Sequence, residues 1–193
     1  ADPRAWTTDG MVFGMQIRDQ ELYLGGAFNY LGPLTGGLVG VDRASEDVDR
    51  GWPQVDGAVY AMVPDGQGGW YIGGTFLRVG GLRRSHLAHF RADRTMDDWA
   101  PVADKPVRAM QLVGERLYLG GEFTNVGGVD RGHLAAVDRN TGAVQAWAPV
   151  VAGCVFALCA TQGQLAVGGE FGQIDGMERY SLASFDLATG RLS

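Results

Sequence analysis

The chain has 193 residues, 46% of them hydrophobic, and a net charge of −6 from 22 acidic and 16 basic side chains. That is enough chain for one domain with a sizeable core, and no apolar run nears the roughly 18 residues of a membrane helix. The acidic balance argues against a nucleic-acid partner, which would want a basic stripe.

Glycine supplies 31 residues, well above its usual share of about 7%, and it falls at fixed places rather than in a collagen period. The run Leu117-Tyr118-Leu119-Gly120-Gly121-Glu122-Phe123 occurs in four forms, whose first glycines are Gly25, Gly73, Gly120 and Gly168. A spacing in the range of about 20–50 residues marks a solenoid, a propeller or an array. Lys105 is the sole lysine among the basic residues, which reads as the codon bias of a GC-rich bacterium.

In chain order, repeat one predicts strands over Val12 to Ile17, Leu22 to Gly26 and Leu38 to Asp42, leading to Trp52-Pro53. Repeat two predicts Val59 to Val63, Trp70 to Gly74 and Leu87 to Phe90, leading to Trp99. Repeat three is the cleanest. It predicts strands over 106–113 and 116–121 joined at Gly114-Glu115, a loop over Asn125 to Arg131, a third strand over 133–138 and a short outer strand over 143–147. Repeat four predicts Val155 to Ala160, Leu165 to Gly169 and Leu182 to Asp186. No segment carries a sustained 3.6-residue apolar period with caps, so almost no helix is expected. Four antiparallel strands per repeat is the pattern of a propeller blade. The expectation is an all-β, single-domain, four-bladed β-propeller over 1–193. Its repeats run approximately 8–54, 55–101, 102–149 and 150–193, with 1–7 completing the last. The ends are out of phase: Arg4-Ala5-Trp6 aligns with Gln145-Ala146-Trp147, an outer strand that the last repeat lacks. Pairing the ends would close the ring, within one chain as the favoured monomer or between two chains as an eight-bladed homodimer.

The motifs Leu-Tyr-Leu-Gly-Gly-Glu-Phe, Val-Gly-Gly-x-x-Arg, Leu-Ala-Ala-Val-Asp and Thr-Gly-x-x-x-x-Trp resemble the delta-60 type bacterial β-propeller repeats. The second half also resembles the Asp-x-x-Thr-Gly-x-x-x-Trp element of quinoprotein propellers, although no quinone pocket is matched. The resemblance implies an extracellular or cell-surface bacterial protein without an assigned activity. Repeat one departs from it at Leu31 to Gly37, and repeat two carries Arg91 where the others carry Asp.

Three arginines occupy one position, Arg84, Arg131 and Arg179. One reading is inter-blade ion pairs with Asp42, Asp138 or Asp186. The functional reading is a guanidinium cluster at one mouth of the channel that holds an anionic ligand by forked contacts. His86 and His133 are equivalent to each other and join the candidate ligand-binding set, with Gly37 and Ser181 at that position in the other repeats. No metal site and no cofactor are expected, since structural zinc wants four ligands at tighter spacing. Glu122 and Glu170 read as solvated loop charges, with an acid–base pair as the alternative. Cys154 and Cys159, five apart in a strand, face opposite ways and read as buried free thiols. Trp52, Trp99 and Trp147 read as packing between an outer strand and the next blade, with a sugar platform as the alternative, and Trp6 leads into the first. These features imply a noncatalytic binding or structural module for a protein or glycan, using loops such as 29–37 and 77–84. The alternative is a hydrolase or lyase with its site at the channel mouth.

Overall fold

The computed structural model describes residues 8–29, 31, 36–49 and 51–193. These residues form strands, turns and bends with no helix, and so no helix long and apolar enough to cross a membrane. Each repeat folds into its own antiparallel meander. Sheet one has strands Met11–Arg18, Glu21–Ala27, Leu38–Asp42 and Val48–Asp49. Sheet two has Val59–Pro64, Trp70–Gly74 and Leu87–Phe90, with Met96 bridging to Phe90. Sheet three has Val107–Val113, Arg116–Gly121 and Leu134–Asp138, with Val144 bridging to Val137. Sheet four has Val151–Thr161, Gln164–Ile174 and Leu182–Asp186, with Leu192 bridging to Phe185.

The turns explain why the chain reverses where it does. The hairpin between the first two strands of sheet three turns on Gly114 at φ 56°, a left-handed conformation that costs glycine little. Asp138, Asp186 and Asp42 each close the next turn by accepting main-chain N–H groups, as Asp138 does from Asn140 at 3.0 Å and Thr141 at 2.8 Å. Those N–H groups hold all three carboxyls below their ordinary range, led by the Thr141, Thr189 and Ser45 amides respectively.

Successive sheets pack face to face through one interface used three times. The second-strand glycine of one sheet faces a valine and a methionine on the first strand of the next, except that sheet four carries Leu158 at the methionine position. A Cβ added to Gly25 would lie 2.9 Å from Val59 Cγ1 and 3.0 Å from Met62 Sδ; at Gly73 it would lie 2.8 Å from both Val107 Cγ1 and Met110 Sδ; at Gly120 it would lie 2.4 Å from Val155 Cγ1. Only glycine lets the sheets approach this closely. Tyr23, Leu38, Val59, Ile72 and Phe76 fill the first core; Tyr71, Leu87, Val107, Leu119 and Phe123 the second; Tyr118, Leu134, Val155, Val167 and Phe171 the third. Each large aliphatic or aromatic side chain buried this fully contributes about 1.5–3 kcal/mol.

The tryptophans seal the outer part of each core. Trp52 lies edge-on to Tyr23 and Phe90, with ring centres at 5.5 and 5.6 Å, and Trp147 lies edge-on to Tyr118 and Phe185 at 5.2 and 5.1 Å. Trp147 and Trp99 donate their indole N–H to the Gly190 and Asp138 carbonyls. Packing, rather than a sugar platform, is thus their role. Trp6 and the pairing of Arg4-Ala5-Trp6 with the last repeat lie outside the described residues, as does most of the loop over 30–35.

Candidate functional site

The first strand of every sheet is interrupted at the same place by a β-bulge. The register slips between Val12 and Gly14, Val59 and Ala61, Val107 and Ala109, and Val155 and Ala157. The extra residues are Phe13, Tyr60, Arg108 and Phe156. A bulge leaves one residue out of the ladder and re-aims its side chain. Here the four re-aimed side chains form one continuous row. Phe13 and Tyr60 meet edge-on with ring centres 4.9 Å apart. The Arg108 guanidinium lies over Tyr60 at 4.2 Å and over Phe156 at 6.0 Å. Phe13 and Phe156 are 43% and 45% exposed, so the row leaves apolar ring surface open to solvent.

The same four strands wall a groove of about 230 Å³, lined by Gly14 to Gln16, Tyr60 to Met62, Arg108 to Met110 and Phe156 to Leu158. Arg108 is fixed by the residue that follows the second strand of its own sheet. Glu122 Oε1 accepts from Arg108 Nε at 2.7 Å and from its terminal N–H group at 2.5 Å. The pair holds the guanidinium flat against Tyr60, where a cation over a ring is worth about 0.5–2 kcal/mol. Cys154 lies beside this pair. Burial pushes its thiol pKa up, and the Glu122 and Glu170 carboxylates add to that, which keeps it protonated and weakly nucleophilic.

Of the residues singled out in the sequence, Glu122 and Cys154 stand beside this row, whereas Arg84, Arg131, Arg179, His86 and His133 do not line the groove. Arg84, Arg131 and Arg179 each reach along their own sheet. One terminal N–H group donates to a carbonyl of the outer edge, Asp97 at 2.9 Å, Gln145 at 2.8 Å and Ser193 at 3.3 Å. Another donates to the carbonyl of the preceding residue, Arg83, Asp130 or Glu178. The expected partners Asp42, Asp138 and Asp186 are occupied by their own turns, so the ion-pair reading gives way to main-chain clamps that fasten the outer edge of each sheet.

His86 and His133 are also used locally. Both take a left-handed backbone, at φ 68° and 65°, with Ser181 at φ 62° in the equivalent place. Their Nδ1–H groups donate to Gly74 and Gly121 carbonyls at 3.0 and 3.2 Å. Burial lowers the pKa of His86. No group of three or more metal-ligating side chains occurs among the described residues. Glu122 is bound to Arg108, while Glu170 is exposed opposite Cys154 in the ladder.

One feature of the sequence reading needs correction. Cys154 is half-buried and Cys159 exposed, both free; the bulge at Phe156 falls between them and resets the alternation on which opposite facing was inferred. His89, the third histidine of the chain, is a buried polar centre. It lies 3.0 Å from Asp65 Oδ2 and 3.5 Å from Asp97 Oδ2 and stacks on Tyr71 at 4.3 Å. Burial alone would raise the Asp65 carboxyl, but the Gln67 amide, His89 and the Gly69 amide together hold it below its ordinary range.

No protein-family model and no curated protein matches the sequence. Solved structures do match the fold. The computationally designed protein Ika4 aligns with a TM-score of 0.57 at 11% identity, over 90% of this chain and 93% of its own. Two structures of an extracellular domain from B. thetaiotaomicron, named for a one-component and a hybrid two-component system, align with TM-scores of 0.60 and 0.59 at 15% and 14% identity. They are covered over 94% and 97% of this chain, which spans 22% of their length.

Proposed function

We propose that the chain is a noncatalytic β-propeller module of four blades that binds a protein or glycan partner outside a bacterial cell. The observation that carries this reading is the row Phe13, Tyr60, Arg108 and Phe156, one bulge residue from each blade, along a groove that all four first strands share. Three rings and one guanidinium supply flat apolar area for sugar C–H faces or for aromatic and proline side chains. Arg108, steadied by Glu122, adds orientable N–H donors.

The four meanders of about 48 residues, each with a bridging outer segment, support the blade reading. The extracellular origin of the Bacteroides neighbours supports the location. Binding rather than catalysis is favoured by how the titratable groups are spent. The arginines clamp the outer edges, the histidines brace the third strands, and Glu122 neutralises Arg108. An enzyme of hydrolase or lyase type needs unlike polar groups converging on one atom of substrate, and the groove instead presents rings.

The test is a paired screen. The chain is offered to glycan and peptide arrays and, separately, to glycoside, ester and phosphate substrates. Capture from an array without turnover supports the proposal. Turnover lost on Glu122→Gln or His133→Ala would replace it with the enzyme reading.

A further inference from the structure

The interface that joins the sheets has a donor half and an acceptor half, and the molecule displays one unused copy of each. The donor half is the first strand: Val59 and Met62, Val107 and Met110, Val155 and Leu158 press on the preceding sheet. Val59, Val107 and Val155 are 0% exposed, and Met62 and Met110 are 7% exposed. Val12 and Met15 hold the same positions in sheet one, yet they are 38% and 66% exposed, and Ile17 beside them is 60% exposed.

The acceptor half is the second-strand glycine with the first leucine of the third strand. Leu38, Leu87 and Leu134 are at most 1% exposed beneath the next sheet, while Leu182 in sheet four is 68% exposed. A Cβ on Gly25, Gly73 or Gly120 would strike the next sheet at 3 Å or less. On Gly168 it would meet only Ala157 Cβ of its own sheet at 3.6 Å and the Ser181 carbonyl at 3.9 Å. Single-chain closure, the arrangement favoured from the sequence, would bury Val12 and Met15 against Gly168. Among the described residues the first strand of sheet one and the Gly168 and Leu182 corner of sheet four stand open, while Leu24, Val39 and Val41 behind that first strand are buried with Phe28 and Leu31.

We infer that a second copy of this chain docks its sheet-one face, Val12, Met15 and Ile17, onto the sheet-four face at Gly168 and Leu182. The argument is continuity with an interface already used three times within the molecule: the occupant that matches a bare Gly168 and Leu182 is a valine–methionine edge, and this chain carries one. The contact is heterologous, and a heterologous contact either closes into a ring or runs on. Two copies related by a twofold axis form it twice and satisfy both faces. Eight blades fall within the 4–8 of known propellers; this count rests on the propeller reading above. The second copy also completes the site, for it places its own Phe13, Tyr60, Arg108 and Phe156 opposite the first row.

Sedimentation velocity of the whole chain at tens of micromolar tests this without any ligand, so it stands apart from the binding screen. The expected mass is twice 20.6 kDa. Met15→Asp and Leu182→Asp should each weaken association on the order of thirtyfold, the effect of a central contact. Both side chains are exposed in the single chain, so each variant keeps its strand signal by circular dichroism. Mixing the two variants should recover part of the pairing, because sheet four of the first still fits sheet one of the second. A mass of 20.6 kDa for the unaltered chain would overturn the inference. So would open-ended larger species, or a mixture that stays as dissociated as its components.

Discussion

Alanine at Gly120 and alanine at Gly168 make the same chemical change at equivalent positions of sheets three and four, and the structure gives them opposite outcomes. At Gly120 the new Cβ would sit 2.4 Å from Val155 Cγ1 and 3.1 Å from Val155 Cβ. Val155 is β-branched and fully buried, so it has few rotamers with which to move aside. Relief must come from sheets three and four separating, an overpacking cost of about 1–3 kcal/mol. Against this stands a gain of about 0.4–1 kcal/mol from the stiffer unfolded chain. The net loss is up to about 2.5 kcal/mol, and for a domain of this size each kcal/mol moves Tm by about 2–4 °C. At Gly168 the nearest foreign atom is at 3.6 Å, so only the unfolded-chain gain remains and Tm should hold or rise slightly. The assay is thermal denaturation at a concentration low enough to keep the chain single. Equal losses at the two positions would refute the reasoning, since they would mean that sheet approach has nothing to do with these glycines.

Three further outcomes follow from the geometry. Arg131→Ala removes the clamp on Gln145 and Asp130 carbonyls and should cost about 1–3 kcal/mol in urea denaturation, with Arg131→Lys recovering less than half because one ammonium cannot span both carbonyls. Stability should fall with acid in two stages. His86, its pKa lowered by burial, binds its proton in the unfolded chain before the folded one, so stability drops as pH falls below about 6.5; Asp65, Asp138 and Asp186, all lowered, add a second loss as pH falls below about 4. His86→Asn should remove the first stage from a plot of Tm against pH and leave the second. Cys159, exposed, should react with a thiol reagent in the native state well before Cys154, whose thiol is half-buried and raised in pKa, and mass spectrometry after timed labelling reads the order.

Much of the fold could be read from the repeats because each carries its own punctuation. The strands Leu38–Asp42, Trp70–Gly74, Leu87–Phe90 and Leu182–Asp186 lie where the sequence put them, since glycine pairs and Asp-capped turns bound them on both sides. The first hairpin of sheet four, Val151–Thr161 with Gln164–Ile174, runs well past the expected 155–160 and 165–169. Pairing across the bulges extends it. The loop expected over 125–131 contains a small ladder, Asn125–Val126 with Val129–Asp130, turned by Gly127 and Gly128 at φ 59° and 81°. For the site, repetition itself misled. A residue type kept at one position in several repeats, such as Arg84, Arg131 and Arg179, performs a task that sheets two, three and four share, which is fastening the sheet's own edge. The candidate row differs in type from repeat to repeat, phenylalanine, tyrosine, arginine and phenylalanine, so it does not stand out as a motif. The available signal was a bulky residue always set between a valine and a glycine or alanine in the first strand.

The most direct measurement is a titration of whichever array ligand the chain captures against two sets of variants, with Tm recorded for each. The account predicts that Tyr60→Ala, Arg108→Ala and Phe156→Ala each weaken binding about tenfold or more, as aromatic and arginine anchors do, with Tm little changed for the exposed Phe156 and lowered by a few degrees for the paired Tyr60 and Arg108. For Arg84→Lys, Arg131→Lys and Arg179→Lys it predicts a lower Tm and unchanged affinity in the folded protein. Binding that survives all three substitutions in the row but is lost on those of the arginine set, at unchanged Tm, would contradict it.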